Sequence, residues 1–218
     1  MQPNSLLSNT RASRAWFGIL AAVSLFGVGV ELYEGMFHPV ADAVFPTALA
    51  QTLNRFAYYT IVSNLVVAFV AIRIASRDWR ATPLNRVLML DALAMIFVTG
   101  LVFNTMLEHT PSFTLRYAAA VALHDIVPVM TILGWAIFAR GRNVFVSTIF
   151  LALILPLIWL AFTLIRYAMI RWVPYPFLDA ARHGWPHVAL VLLMILSFQM
   201  VLGFAALAWD RFVATKRT

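Results

Sequence analysis

The chain contains no cysteine. Disulfides, thiolate metal sites and cysteine nucleophiles are therefore excluded. Charge is scarce as well. Only 11% of the 218 residues are Asp, Glu, Lys or Arg, against about 25% in an ordinary soluble domain. Acidic residues number nine against sixteen basic ones. So little polar surface rules out a water-soluble globular domain, a disordered tail and a disulfide-rich secreted module. In place of charge the chain carries apolar residues: 62% are hydrophobic and the mean hydropathy is +0.85. The solvent for most of that surface must be a lipid bilayer.

Six apolar stretches run near 14–36, 53–74, 86–107, 116–139, 144–169 and 187–209. Each is long enough to cross roughly 30 Å as a helix. The expected fold is all-α, an integral membrane bundle of six transmembrane helices forming a single domain over 1–218. No charge-rich or Gly/Ser-rich linker and no fixed-period repeat divides it. The first stretch is too long for a cleavable signal peptide, and the EGMFHPV that follows it lacks a small-residue cleavage site.

Six spans put both termini on one side, and the basic residues choose which. Arg11, Arg14, Arg73, Arg77, Arg80, Arg86, Arg140, Arg142, Arg211, Lys216 and Arg217 fall on the side of the termini. Arg55, Arg116, Arg166, Arg171 and Arg182 fall on the other. The positive-inside rule then makes both termini cytoplasmic in a multi-pass protein of the cell membrane. The net charge of +7 is a topology signal, with contact to anionic lipids, and not a nucleic-acid footprint.

Polar residues are expensive inside a bilayer, so their depth is informative. Thr60 lies seven residues past Leu53, roughly 10 Å below the outer edge at 1.5 Å per residue. His124 lies eight residues past Arg116, roughly 12 Å down. Glu31, Ser63, Asn64, Asn104 and Thr105 share that outer half, whereas the inner half holds little beyond Asp91 and Gln199. The pattern predicts a polar pocket that opens outward over a mostly apolar floor.

His124, in ALHDIVPVM, has two readings. It can be a structural histidine bonded to a neighbouring helix, or a general base, since imidazole titrates near neutral pH. Asp125 points about 100° away on the same helix and is a poor orienting partner. Pro128 removes one backbone bond near His124. Thr60, in FAYYTIVSNLVVAF, most often would bond its own backbone one turn back. As a nucleophile it needs an adjacent base, and His124 is at the matching depth. Asn64 shares the Thr60 face, four residues on. It can donate to an oxyanion or join two helices.

Arg166, Arg171, Trp172 and Tyr175 form an interfacial belt in which the arginines snorkel. Alternatively Arg166 meets an anionic head group. Asp91 is expected to pair with Arg86 or Arg140. His183 and His187 share a helix face at i, i+4 and, with His38, His109, Glu34 or Glu108, offer zinc ligands. Gly184 and Pro186 interrupt that spacing and no HExxH is present. The expectation is no metal and no cofactor.

Four segments in order resemble one family. FAYYTIVSNLVVAF is similar to its second helix, NRVLMLDALAMIFVTGLVFN to its third, and ALHDIVPVMTILGWAIFA to its Leu-His-x-x-x-Pro fourth. LPLIWLAFTLIRYAMIRWVPYPFLD resembles its fifth helix and outer loop. These are bacterial six-span proteins related to the animal androgen-induced and androgen-dependent TFPI-regulating proteins. The resemblance runs from about residue 50 to 210. It implies an intramembrane threonine hydrolase of fatty acid esters of hydroxy fatty acids, with Thr60 and His124 at the positions of the family's Thr and His. Asn64, Ser63, Asn104 and Arg166 are expected to bind substrate or the oxyanion on their depth and side-chain chemistry alone, since the resemblance supplies no role for them. The expected partners are a lipid ester and membrane lipids. The alternatives are a lipid-binding or transport protein using the same pocket without chemistry, and a metal-dependent hydrolase built on the outer histidines.

Overall fold

Threonines punctuate this chain. Thr10, Thr47, Thr82 and Thr114 each stand at a helix N-cap, where the side-chain oxygen accepts from the backbone N–H three residues on. Each satisfies one of the orphan donors of a helix start. The computed structural model describes residues 10–42, 44–76, 79–107, 112–138 and 143–215, and among these there is no strand.

The first long helix, α1, is Arg11–Phe37. A short α2 (Ala48–Asn54) and a 3-10 turn (Arg55–Ala57) precede α3, Tyr59–Ala75. Helix α4 is Pro83–Met106, with proline in its first turn. Helices α5 (Leu115–Val121) and α6 (Val127–Phe138) flank a π-helical turn over Ala122–Ile126. Helices α7 (Val146–Leu151) and α8 (Ile154–Ile170) make one apolar rod with a slack turn between them. Pro156 has no N–H to give to the carbonyl four residues back, which accounts for that slackness. A 3-10 turn (Pro176–Leu178) and α9 (Ala180–His183) lead into α10, Trp185–Thr215.

Arg11–Phe37, Pro83–Met106, Leu115–Phe138, Val146–Ile170 and Trp185–Thr215 are long and apolar enough to cross a membrane. A sixth crossing exists if Ala48–Ala57 and Tyr59–Ala75 count as one broken span, bent by 69°. Over the described residues the fold is thus an all-helical bundle with five or six segments long and apolar enough to cross a membrane. The broken element corrects the straight second helix expected over 53–74. Tyr58 takes an extended backbone (φ −78°, ψ 133°) and caps α3 without a side-chain bond.

Contacts fix the helix directions. Arg14, early in α1, donates to the carbonyl of Ala75 at the end of α3 (3.0 Å), and Glu31, late in α1, pairs with Arg55 just before α3 (3.2 Å). Asp210, near the end of α10, accepts from the backbone N–H groups of Asn143 and Val144 ahead of α7 (2.6 and 3.0 Å). The end of the bundle where α3 begins is called the upper end below.

The main core joins α1, α3, α4 and α6 through Phe17, Leu20, Val67, Leu93, Ile96 and Val127. A second cluster, with Tyr59, Met95, Val98, Tyr175, Leu178 and Val188, lies between α3, α4, α10 and the loop after α8. Ile158, Ile165, Leu193 and Val201 are each about 60% exposed, as lipid-facing residues should be. Asp91 is buried and its Oδ1 lacks a partner. Among the described residues it makes no ion pair, and Arg86 instead lies over the Phe145 ring (4.8 Å). Arg140 lies outside the described residues.

Candidate functional site

Two local breaks in helical structure build the site. The first is the bend at Tyr58, which puts Thr60 in the opening turn of α3. Backbone N–H groups there have no intrahelical acceptor. The second is the π turn that carries His124. Within it the Val127 N–H bonds the Ala122 carbonyl, five residues back. Pro128 cannot donate to the His124 carbonyl, which makes the wider turn tolerable. Two glycines or their partners seat this turn. A Cβ on Gly100 of α4 would stand 2.7 Å from the His124 carbonyl oxygen, and one on Gly27 of α1 would meet Leu123 at 2.6 Å.

These breaks bring the Thr60 Oγ1 to 3.2 Å from His124 Nε2. The other ring nitrogen, Nδ1, lies 2.8 Å from the Ala120 carbonyl oxygen. A carbonyl only accepts, so this contact assigns the proton to Nδ1 and leaves the Nε2 lone pair facing the threonine hydroxyl. Phe103 stacks flat on the imidazole, with centroids 3.8 Å apart and planes at 13°. The arrangement is a hydroxyl, a base aimed at it, and a fixed tautomer, the same parts from which activated nucleophiles are built.

Tyr175 is the third member, one that an interfacial-belt reading misses. Its hydroxyl accepts the Thr60 N–H (3.2 Å) and lies 3.3 Å from Thr60 Oγ1. The ring packs edge-on against Tyr58 and parallel to Phe177. Burial pushes the phenol up to about 12, only partly opposed by its hydrogen bonds with Thr60. It is therefore a neutral hydroxyl at physiological pH. The aromatic-rich run WVPYPF was the available signal, but composition could not distinguish a ring at the lipid interface from one folded over the bundle.

Thr60, His124 and Tyr175 line a cavity of about 610 Å³, counted to its open mouth. Val98, Val102, Leu192 and Ile195 make its walls apolar. Pro156 and Trp159 of α8 and Leu196 of α10 continue it downward to Gln199. Gln199 donates to the Tyr59 hydroxyl, and its Oε1 has no partner. A lining of this kind suits an apolar chain.

The remaining candidates are not at the cavity surface. Asn64 is fully buried and donates to the carbonyls of Thr60 (2.8 Å) and Leu123 (3.4 Å), while Ser24 donates to its own carbonyl (2.8 Å). Ser63, equally buried, donates to the Thr60 carbonyl (3.0 Å) and pairs with Thr99 (2.8 Å). Both tie the Thr60 turn to its neighbours and neither is free to meet an oxyanion. Asn104 is exposed and bridges the Gly100 carbonyl and Asp125 Oδ1, each at 2.9 Å. This bond gives Asp125 a partner on α4. Arg166 donates to Asn54 Oδ1 (2.8 Å) and sits over Trp172 (4.6 Å), Phe45 and Phe162. It fastens the bent second element to α8 and does not line the cavity. The structure thus gives all four expected substrate or oxyanion residues structural partners and places none of them in the cavity lining.

Among the described residues no three or more His, Asp or Glu side chains gather as a metal would need. His183 and His187 stack with centroids 4.9 Å apart, and His38 pairs with Glu34 (3.5 Å). Glu108 and His109 lie outside the described residues.

The sequence and fold together define an all-helical, multi-pass membrane protein with an apolar cavity headed by Thr, His and Tyr. The chain matches no family model, no curated protein and no solved structure.

Proposed function

We propose that the protein is an intramembrane lipid ester hydrolase in which Thr60 is the nucleophile and His124 the general base. The carrying observation is the 3.2 Å approach of Thr60 Oγ1 to a His124 nitrogen whose partner nitrogen is held by the Ala120 carbonyl. His124 Nε2 takes the hydroxyl proton as Thr60 Oγ1 attacks the ester carbonyl carbon. The alcohol leaves with that proton, and an acyl-threonine remains. His124 then takes a proton from water, which attacks the acyl carbon. Thr60 regains its hydrogen and the fatty acid departs. No cofactor takes part.

The substrate class follows from the apolar cavity and from the family that the four segments resemble: fatty acid esters of hydroxy fatty acids, or lipid esters of similar shape. The basic asymmetry between the two sets of connections supports cytoplasmic termini in the cell membrane, which would make the upper end extracytoplasmic. A reporter fused at Thr218 should then be active only in the cytoplasm.

A lipid carrier that uses the cavity without chemistry is the second reading, favoured by the mainly apolar walls. Fluorophosphonate treatment separates the two. A hydrolase gains a mass adduct on Thr60 that is absent from His124→Ala protein. A carrier takes up lipid ester, leaves it intact, and shows no adduct.

A further inference from the structure

The proton on the Tyr175 hydroxyl has to point somewhere. Its oxygen already accepts the Thr60 N–H at the start of α3. Thr60 Oγ1 lies 3.3 Å away, within reach of that proton. When an ester carbon bonds to that oxygen, the carbonyl oxygen comes to lie one bond further on, beside the same phenol. We propose that Tyr175 is a further catalytic residue, whose hydroxyl donates to the negative carbonyl oxygen formed when Thr60 attacks. This rests on the hydrolase reading above.

In that step the Thr60 Oγ1–carbon bond forms and the hydroxyl proton passes to His124 Nε2. The carbonyl π pair moves onto the carbonyl oxygen. Tyr175 hydrogen-bonds this oxygen and keeps its own proton. On collapse the pair re-forms the carbonyl, the ester C–O bond breaks, and the departing oxygen takes the proton from His124.

Three further observations support the assignment. The other donors nearby are committed: Asn64 and Ser63 to the Thr60 carbonyl, Gln199 to Tyr59. The Thr60 N–H, an obvious oxyanion donor, is taken up by Tyr175, so it acts on the reacting oxygen through the phenol. Accepting that N–H polarises the phenol and makes it a stronger donor, and the positive end of α3 favours negative charge there. In an apolar cavity such a donor is far more effective than in water.

A purely structural Tyr175, acting as a cap on α3, is the competing account. The test uses the full-length protein in detergent with p-nitrophenyl octanoate as probe. Tyr175→Phe should lower kcat by about 100-fold or more, with KM within about threefold of wild type. Wild-type kcat in Tyr175→Phe, or a change confined to KM, overturns the assignment. Should Tyr175→Phe fail to fold, 3-fluorotyrosine at position 175 alone keeps the cap and makes the phenol more acidic. The alkaline limb of the kcat–pH profile should then move to lower pH, and an unmoved limb overturns the assignment. Thr60→Ala separates the two levels. If it hydrolyses as fast as wild type, the threonine reading itself falls. If it is inactive while Tyr175→Phe is not, only the role of Tyr175 falls.

Discussion

Gly100 faces the carbonyl oxygen of His124 so closely that a Cβ at residue 100 would stand 2.7 Å from it, with Pro128 Cγ at 3.1 Å. An exposed helical Gly→Ala change ordinarily stabilises by about 1 kcal/mol. Here neither backbone oxygen nor proline ring can swing aside. Gly100→Ala is therefore expected to destabilise by about 1–3 kcal/mol and to displace the histidine. Thermal unfolding and the rate of fluorophosphonate labelling measure both effects. A more stable, normally labelled variant would mean that α4 does not hold the π turn.

Thr60 and His124 should behave as one unit. Each Ala variant is expected to bring ester hydrolysis near background, with the double variant no worse than either single one. Thr60→Ala removes little volume and should fold. Thr60→Ser keeps a hydroxyl and should retain part of the activity. Losses that multiply in the double variant would argue for separate roles.

The two asparagines near the site should differ in their effect on stability. Asn64→Ala removes one buried donor from the carbonyls of Thr60, which keeps Ser63, and Leu123, at a cost of about 1–3 kcal/mol. Asn104→Ala removes an exposed bond to Asp125 and should stay within about 0.5 kcal/mol. Unfolding midpoints of the two variants decide this, and equal midpoints would contradict the burial difference.

Arg166 fastens Asn54 and is sandwiched by rings. Lysine keeps the charge and loses the plane. Arg166→Lys is expected to cost about 1 kcal/mol and to leave KM for an ester probe near its wild-type value. A tenfold rise in KM with unchanged stability would restore a head-group role.

Tyr175 offers a pH test. Its phenol is pushed up to about 12 in the folded protein, against about 10 in an unfolded chain. The folded state therefore holds the proton more tightly. The resulting stabilisation is complete below about pH 10 and is lost as pH rises towards 12. The phenolate absorbance that disappears in Tyr175→Phe should titrate in the upper part of that window. Titration at the ordinary tyrosine value would mean that the ring is solvated.

The spans were legible because apolar length is a strong signal. Most observed ends fall within a few residues of the hydropathy limits, as with Pro83–Met106 against 86–107, while α10 runs on to Thr215, past the expected 209. Thr60 and His124 could be paired because polar residues are rare in such helices. The roles of Asn64, Asn104 and Arg166 could not be read. These helices are apolar nearly all round, so no stripe reveals which face turns inward. The bend at Tyr58 was hidden for another reason. FAYY has neither glycine nor proline, and tertiary contacts to Tyr175 and Trp159 accompany the break: Trp159 Nε1 donates to the Ala57 carbonyl at 3.0 Å. Tyr175 itself is distant in sequence, and only the fold returns it to Thr60.

The π turn over Ala122–Ile126 amounts to one extra residue set into an otherwise regular α-helical rod. Each residue of an α-helix turns the chain by about 100°. Deleting one residue from this turn would let α5 and α6 run on as a single helix, with Trp135 and Thr131 still in their places below. The imidazole, however, would rotate away from Thr60 by about that angle. The capacity for chemistry is thus a matter of phase, separable from the architecture that houses it. A bundle of the same spans could lose the proposed reaction through the absence of a single codon and keep the same succession of helices.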